Sequence, residues 1–402
     1  MFTSGTTGKP KGVKLTHKNF ATMIAALATI FPLHQNDRVL SVLPLHHTFE
    51  FSCGLLLPFS RGARVQYVGE LSGERLVHAL EAGRATAMVG VPALWQVIER
   101  RVRAQVDARG PIVKAAFDFA SNANRKLGQT FGIDAGKMLF SPIHGALGGS
   151  LRMLISGGAA LPKETQELFL GLGLPLAEGY GLTEAAPVLT ASKPSPKTRH
   201  GHVGKPIPGV EIKIDNADES GVGEVIARGP NVMQGYTDDE ATQRVLTEDG
   251  WLKTGDLGKL DKRGQLQIVG RIKDVIVTTT GENIYPDDVE RLLGEIDGVT
   301  ELAVVGIASP KGGERVACLA SPKRDSLLPE MGSDNREGAL TSLRAKIATL
   351  PYNMQPSVVH LYDAPLPRTA TRKVKRKEVQ GILERLILAT TTPDDASADV
   401  GP

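Results

Sequence analysis

The feature that most constrains the fold is an alternation of short apolar runs with helical patterns through the first half of the chain. The runs are short and rich in β-branched residues, so each predicts a buried strand. They are Val39 to Leu43, Val65 to Val68, Met88 to Val91 and Met153 to Ile155. Helical patterns lie between them, including Leu94 to Lys126 and Lys163 to Leu172. This alternation predicts an α/β domain with a largely parallel sheet.

Two further patterns of predicted secondary structure follow along the chain. Closely spaced strands with turn signals predict a β-rich subdomain, with strands at Val210 to Ile214, Gly223 to Arg228 and Gln265 to Val269. From Asp274 onward, strands and a helix opened by Pro286 predict a small C-terminal α/β domain. We therefore expect a large domain over residues 1–273, a small one over 274–388, and a polar, acidic, disordered tail over 389–402.

Composition excludes several classes of protein. The 402 residues are 41% hydrophobic and 23% charged, which is typical of a globular protein. The net charge of +3 argues against a dedicated nucleic-acid binder. Cys53 and Cys318 form no C-x-x-C pair, and the sequence has neither an apolar run of about 18 residues nor a signal peptide. We expect a cytoplasmic protein without a membrane span.

The chain opens on a loop suited to phosphate. Hydroxyl side chains, three glycines and two lysines alternate in the segment MFTSGTTGKPKGV. It is not a Walker A loop, because Pro10 follows Lys9 where serine or threonine is required. A flexible linker is the alternative, but a linker has no need of a proline between two lysines.

Thr3 to Gly12 resembles the signature loop of the adenylate-forming superfamily, which includes acyl-CoA synthetases, luciferases and adenylation domains. The resemblance implies that the loop and Lys11 hold the β- and γ-phosphates of ATP, and that Thr3 and Glu184 serve Mg²⁺. The loop residues concerned are Thr3, Ser4, Gly5, Thr6, Thr7 and Gly8. In that family a substantial subdomain precedes the loop, so we expect the large domain to be incomplete. The resemblance also implies that the small domain is mobile.

Further motifs follow in the family's order. The segment GYGLTE resembles the family motif that binds adenine, α-phosphate and Mg²⁺, which implies roles for Gly179, Tyr180, Gly181, Thr183 and Glu184. A strand-end loop implies adenine contacts for Gly157, Gly158 and Ala159. The remaining matches imply ribose contacts for Asp256 and Arg271, a hinge at Asp274, and a thiol-arm approach at Gly281.

The basic run near the C-terminus has two interpretations. Six of the ten residues from Arg368 to Lys377 are basic, which is typical of a solvated face. The run also resembles the family motif whose lysine bridges the attacking carboxylate and the α-phosphate, and this implies a catalytic role for Lys373. Arg372 stands where the family has glycine, and Lys375 is the alternative lysine.

The acyl substrate is indicated less directly. His46, His47 and Phe49 stand where amino-acid-activating relatives carry an aspartate, so an amino acid is disfavoured. The resemblance implies pocket roles for His47 and Trp95, and the helical stretch from Gln96 to Gly149 is similar to an insertion of long-chain fatty acyl-CoA synthetases. We therefore expect the substrate to be a long-chain fatty acid, and we expect the reaction to use ATP, Mg²⁺ and coenzyme A. Delivery to a carrier protein, a luciferase-like oxidase, an inactive nucleotide-binding fragment and peripheral membrane association stay open.

Overall fold

The computed structural model describes residues 1–4, 10–69, 73–279, 281–309, 312–323, 332–369 and 374–391. They form two compact units. The first comprises Met1–Thr254 and Gly258–Ile268, and the second comprises Gly255–Leu257 and the residues from Val269 onward.

The strands are numbered in chain order. They are β1 Phe2–Ser4, β2 Pro10–Lys14, β3 Arg38–Ser41, β4 Arg64–Tyr67, β5 Ala87–Gly90, β6 Met153–Ser156, β7 Leu176–Gly181, β8 Val188–Ala191, β9 Lys205–Pro206, β10 Glu211–Asp215, β11 Gly223–Arg228, β12 Gly235–Tyr236, β13 Leu252–Leu260, β14 Leu266–Arg271, β15 Ile276–Val277, β16 Asn283–Ile284, β17 Val299–Ala308, β18 Glu314–Pro322 and β19 Val358–Leu361.

The α-helices are numbered in the same way. They are α1 His17–Ile30, α2 Leu57–Ser60, α3 Gly73–Gly83, α4 Pro92–Asp107, α5 Pro111–Phe131, α6 Gly136–Leu139, α7 Ser141–Ala146, α8 Lys163–Gly171, α9 Asp239–Val245, α10 Pro286–Leu293, α11 Gly332–Ile347 and α12 Arg376–Thr391. A π-helix spans Glu50–Leu56, and 3₁₀ turns span Thr183–Ala185, Ile272–Asp274 and Tyr352–Met354.

A seven-stranded sheet organises the first unit, with strand order β4-β3-β5-β6-β7-β8-β9. The pairs from β4 to β7 are parallel, and β8 and β9 join antiparallel. β5 and β6 are buried along their whole length, as expected for parallel strands covered on both faces. The predicted α/β class and the four predicted strands of this half of the chain are confirmed.

Successive residues of each strand face opposite sides of this sheet. Leu40, Met88 and Leu176 pack into one core with Trp95 of α4 and Phe169 of α8. The residues beside them face a second core, which α1 and the π-helix complete; they are Val39, Val89 and Ala177. The carboxyl ends of β5, β6 and β7 meet at one edge of the sheet, where parallel α/β folds bind ligands.

The helical stretch predicted from Leu94 to Lys126 is confirmed and consists of two helices. α4 ends at Asp107, and Gly110 adopts a φ of +93° immediately before Pro111 opens α5. Because a positive φ interrupts a right-handed helix and proline suits only its first turn, the chain reverses here. α4 and α5 then pack on each other and on α8, between β5 and β6 in the sequence.

The β-rich subdomain is present where it is predicted. β10, β11, β13 and β14 form a four-stranded sheet in that order, and β10 and β11 pair antiparallel. The amide of Gly264 donates to the carbonyl of Asp261 over 2.9 Å, which forms the predicted turn before β14. β13 and β14 contain the residues at which the two units divide.

The second unit has its own core. β17 pairs antiparallel with β18, and β18 pairs parallel with β19, while α10, α11 and α12 supply buried apolar residues on the two faces. The predicted strands and the helix that begins at Pro286 are confirmed. α12 continues to Thr391, past the predicted start of the tail, and residues 392–402 lie outside the described ranges. Within those ranges, no helix combines the length and apolar character needed to cross a membrane.

Two adjacent glycines after α7 test how tightly this chain is packed. Both have positive φ, +83° at Gly148 and +67° at Gly149, but a Cβ on Gly148 would lie 2.2 Å from the carbonyl oxygen of Leu80, whereas one on Gly149 would meet nothing within 4 Å. We expect Gly148→Ala to lower the free energy of unfolding by about 3 kcal/mol and Gly149→Ala by only about 1 kcal/mol. Denaturant unfolding followed by tryptophan fluorescence measures this, because Trp95 and Trp251 both lie in the first unit. Equal losses would show that the Leu80 contact relaxes without cost.

Candidate active site

The N-terminal motif forms a β-hairpin. β1 and β2 pair antiparallel with Thr3 opposite Lys11, and β12 pairs with the other edge of β2 with Tyr236 opposite Val13. A Cβ on Gly12 would lie 2.7 Å from the Thr237 side chain, so this glycine permits the close approach of residues 235–237. Ser4 ends β1, whereas the predicted phosphate-loop residues Gly5, Thr6, Thr7 and Gly8 lie outside the described residues.

Glu184 lies beside this hairpin in the turn that follows β7. The Tyr236 hydroxyl donates to Glu184 Oε1 over 2.7 Å, and Lys11 Nζ lies 5.2 Å from the centroid of the Tyr236 ring. Burial, reinforced by the charge of Glu184, raises the pKa of Tyr236 well above its usual range, so the phenol stays a donor. The fold thus brings together a carboxylate able to bind a hard cation and an ammonium able to bind phosphate.

The backbone around Glu184 is held by the segment before β12. The amide of Met233 donates to the carbonyl of Glu184 over 2.8 Å. The side-chain amide of Asn231 donates to the carbonyls of Ala185, over 2.9 Å, and Val188, over 2.7 Å. These bonds fix the turn that carries Glu184 next to the strand that carries Tyr236.

The segment after β3 reaches the same place. The Thr48 hydroxyl donates to the Thr183 hydroxyl over 3.3 Å. His47 is half-buried, with its ring centroid 4.3 Å from that of His46. Burial, aided by the charge of His46, lowers the pKa of His47, so this imidazole is neutral at physiological pH. Its Nε2 has no hydrogen-bond partner among the described residues.

The strand-end loop after β6 packs under Phe49. The amide of Gly157 donates to the carbonyl of Gly90 over 3.1 Å, and a Cβ on Gly157 would lie 2.8 Å from the Phe49 ring. Gly158 has a φ of +84°, and Ala159 follows on the exposed side. Glycine is therefore required at 157 by the aromatic ring and is favoured at 158 by the backbone.

An apolar cavity of about 550 Å³, counting its open mouth, lies between these segments. We place its mouth at the carboxyl edge of the sheet, because Gly158 is exposed and Gly179, Tyr180 and Gly181 are half-buried, whereas most of the other lining residues are buried. Its walls are side chains of α1, of the π-helix region and of the sheet, namely Leu27, Phe31, Phe49, Cys53, Leu57, Ile155, Pro187, Val188 and Ala191. No charged side chain lines it among the residues that the structure describes. The cavity is therefore suited to an apolar group.

Trp95, predicted as a pocket residue, is not among the residues that line this cavity. It is fully buried in the core on the opposite face of the sheet, where its ring meets Phe169 edge-on at a centroid distance of 5.9 Å. His47 is also absent from the cavity lining, although Phe49, two residues along, is part of it.

The second unit contains the other predicted site residues. Arg271 Nε donates to Asp256 Oδ1 over 2.7 Å, and Asp256 is buried. Asp274 lies 3.6 Å from Arg376, whose guanidinium also bonds Asp287 and Glu290. Gly281 is in the turn between β15 and β16 with a φ of +81°. Arg372 and Lys373 lie outside the described residues.

Residues 1–237 match the family model described as AMP-binding enzyme. The chain belongs to the AMP-binding enzyme family. The chain is 31% identical over 390 residues to an indoleacetate–CoA ligase of Aromatoleum aromaticum, covering 96% of this chain and 67% of the relative. The resemblance to adenylate-forming enzymes is thereby confirmed.

Two further members of the family are informative. A putative fatty-acid–CoA ligase of Mycobacterium tuberculosis is 36% identical over 309 residues, covering 73% of this chain and 53% of the relative. The solved o-succinylbenzoate–CoA synthetase of Bacillus subtilis, in complex with ATP and a magnesium ion, superposes with a TM-score of 0.69 at 26% identity, covering 94% of this chain and 68% of that one. The chain thus spans between about half and two thirds of the length of these AMP-binding enzymes.

Sequence reasoning missed three polar residues around the AMP-binding motifs. Tyr236 is one, because its position opposite Val13 depends on the pairing of strands more than 200 residues apart. Thr48 is the second, since its partner Thr183 is 135 positions away. The third is Glu50, which directly follows Phe49 in the sequence. An acidic residue inside an apolar run was the available signal for Glu50.

Glu50 begins the π-helix and is fully buried. Ser41 donates a short hydrogen bond to Glu50 Oε1, while Oε2 has no partner among the described residues. A Cβ on Gly54 would lie 2.2 Å from Oε1, so glycine at 54 makes room for the carboxyl. Burial, only partly opposed by hydrogen bonds from Ser41 and the backbone of Val42 and Leu43, raises the pKa of Glu50 to about 7.

This pKa predicts a pH dependence of stability. Between the unfolded pKa of 4.5 and the folded pKa of about 7, the folded state holds more protons, so stability is full below that window and falls as pH rises through it. We expect Glu50→Gln, which mimics the protonated carboxyl, to come close to the wild type at pH 4 and to exceed it at pH 8 by on the order of 3 kcal/mol. Unfolding by denaturant at both pH values, followed by tryptophan fluorescence, is the measurement.

Glu178 provides the comparison for this variant. Burial raises its pKa to about 7 as well, although Gln166 donates to it over 2.9 Å. Glu178→Gln should therefore remove a separate share of the same pH dependence, and the double variant should have the flattest profile. Parallel profiles for the wild type and Glu50→Gln would mean that folding does not raise the pKa of Glu50.

Proposed function

We propose that this chain carries the adenylating and acyl-binding sites of an acid–thiol ligase. Such an enzyme would use MgATP to convert a long-chain fatty acid into an acyl-AMP and then into a thioester of coenzyme A. The observation that carries the proposal is the juxtaposition of an apolar cavity with Glu184 and Lys11 through the segment 179–184. An apolar tail would enter the cavity while its carboxylate stays near the mouth, beside Tyr180.

In the first step a carboxylate oxygen bonds to the α-phosphorus of ATP, and the bond from that phosphorus to pyrophosphate breaks. The chain needs no nucleophile of its own for this step, since positioning and charge neutralisation supply the rate. Lys11 and the phosphate loop would hold the β- and γ-phosphates, and Thr183 would bond the α-phosphate. In the second step the thiol of coenzyme A bonds to the acyl carbon and AMP leaves.

The donor set at Glu184 fits Mg²⁺. The described residues hold no group of three or more His, Cys, Asp or Glu side chains placed to bind a metal. Mg²⁺ is commonly held by one or two carboxylates, substrate phosphates and water, so a single buried carboxylate supported by Tyr236 suits it. When bound, the ion would neutralise charge on the leaving pyrophosphate. Thr3, on the strand facing Lys11, is the second proposed metal-site residue.

The other assigned roles stay part of the proposal. Gly157, Gly158, Ala159 and Tyr180 would line the adenine, and the paired Asp256 and Arg271 would bind the ribose hydroxyls. Gly281, which a Cβ would not crowd within 4 Å, would let the thiol arm pass close to the backbone, and Asp274 would be the hinge.

Pyrophosphate release with a panel of acids tests the proposal. We expect ATP-dependent release with fatty acids, rising from short to long chains, and CoA-dependent release of AMP. Indole-3-acetate belongs in the panel as a second candidate, because the indoleacetate–CoA ligase match covers 96% of this chain. Release without any effect of CoA would favour delivery to a carrier protein. A chain that binds ATP but releases pyrophosphate with none of the acids would be a nucleotide-binding protein, contrary to the proposal.

A variant of the cavity wall tests whether this cavity binds the acyl chain. Ala191→Leu adds volume to the cavity wall, so it should lower activity with the longest acids by about tenfold while sparing short ones. Ala21→Leu, on the exposed face of α1, is the matched control and should leave the chain-length profile unchanged. An unchanged profile in Ala191→Leu would place the acyl group elsewhere.

Lys373 has a separate test in the two half-reactions. We expect Lys373→Ala to abolish formation of acyl-AMP and to spare thioester formation from supplied acyl-AMP, because the lysine is proposed to bridge the carboxylate and the α-phosphate only in the first step. Lys375→Ala, two residues away, is the control and should retain both activities. Equal loss of both half-reactions in Lys373→Ala would refute the assignment.

A further inference from the structure

Helix α5 exposes an apolar stripe along its length. Ile112, Ala116, Phe119, Ala123 and Leu127 follow one another at intervals of four, three, four and four residues, which places them on one face of the helix. Ile112 is 84% exposed, Phe119 78% and Leu127 44%. At about 1.5 Å per residue the helix is about 30 Å long, so the stripe is a continuous surface rather than a single exposed side chain.

The stripe continues past the end of the helix. Four more exposed apolar side chains follow within twelve residues of Leu127, and they are Phe131, Ile133, Met138 and Leu139. We call these nine residues together the α5 surface. A typical isolated surface leucine needs no explanation, but a group of this size on one element does.

The opposite face of α5 fixes the orientation of the helix. Phe117 packs edge-on against Phe140 at a centroid distance of 5.3 Å, and Asn124 Nδ2 donates to the carbonyl of Gly171 over 3.0 Å. Gly128 is buried, and a Cβ there would lie 2.9 Å from Pro196. The α5 surface is therefore not a core face turned outward by chance, since a separate face already makes the core contacts.

Positive charge accompanies the α5 surface. Residues 92–139 contain eight Lys and Arg against four Asp and Glu, a net charge of +4, whereas the whole chain has only +3. Arg100, Arg101 and Arg109 are exposed on α4 and the turn that joins it to α5, and exposed Lys126 lies beside Leu127. An apolar helix face combined with basic side chains matches the chemistry of a membrane surface that contains anionic lipid.

We propose that the α5 surface docks on an anionic phospholipid surface, with α5 lying in the plane of the interface. Two copies of this chain meeting through the same surface would bring together two regions of net charge +4, which disfavours a dimer. The inference goes beyond the proposed ligase activity and does not depend on it, because binding to lipid is measured without acid, ATP or coenzyme A.

Co-sedimentation of the full chain with vesicles tests this inference. We expect binding to vesicles of phosphatidylcholine mixed with phosphatidylglycerol, weaker binding to phosphatidylcholine alone, and loss of the difference at high salt. The double variant Ile112→Ser with Phe119→Ser should bind mixed vesicles about tenfold more weakly, since both side chains are exposed and apolar. Arg100→Glu with Arg101→Glu should weaken binding to mixed vesicles selectively.

Phe59→Ser is the matched control, because Phe59 is 74% exposed in the same unit but lies outside the α5 surface. It should bind vesicles as the wild type does, and all variants should unfold at the wild-type denaturant concentration. A wild-type chain that binds neither vesicle, or a double serine variant that binds as well as the wild type, overturns the inference. So does a concentration-dependent dimer in light scattering that the double serine variant abolishes, which would assign the α5 surface to a second copy.

Discussion

Asn231 fastens the turn that carries Glu184 to the strand that carries Tyr236. Its side chain is 1% exposed, and its amide donates to two backbone carbonyls, those of Ala185 and Val188, on either side of the bend between β7 and β8. Because buried carbonyls need partners, this one side chain satisfies two of them at the bend. The arrangement of Glu184, Tyr236 and Lys11 depends on that connection.

The two faces of the central sheet differ, because one forms a closed core and the other borders the cavity. On one face, Trp95, Phe169 and the long helices between β5 and β6 form a closed core. On the other face, α1 and the π-helix leave an apolar cavity whose mouth is built from glycines at the ends of β6 and β7. Glycine at 157 lets the Phe49 ring lie against the loop after β6, because a Cβ there would lie 2.8 Å from the ring. Packing on the first face can therefore stabilise the sheet without filling the site on the second.

Buried carboxyls mark where this unit gives up stability at neutral pH. Glu50 lies in the π-helix on the cavity side of the sheet, whereas Glu178 of β7 faces α8, and burial raises the pKa of each to about 7. Ser41 and Gln166 donate to them, which offsets part of the cost of burial. Glu50 holds the start of the π-helix against the end of β3, and the segment between them places Thr48 against Thr183 and Phe49 in the cavity wall.

The sequence by itself determined the elements and the chemistry of the motifs. Apolar runs such as Met88 to Val91 and Met153 to Ile155 can be buried only as strands with helices on both faces, and the order of the motifs from Thr3 to Asp274 indicated an adenylate-forming protein. Local signals sufficed there because period and composition act over a few residues. They did not locate the point at which the helical stretch after Leu94 divides into two helices, which is set by Gly110 and Pro111.

Only the tertiary structure decided which distant residues meet. Tyr236 reaches Glu184 because β12 pairs with β2, Thr48 reaches Thr183 across 135 positions, and Trp95 lies in the core rather than in the cavity wall. The spacing of apolar residues along α5 can be seen in the sequence. Their exposure, however, depends on the opposite face of the helix being the one that packs against α8. Such contacts arise from sheet order and helix packing, which no local pattern encodes, because they depend on the free energy of the whole fold.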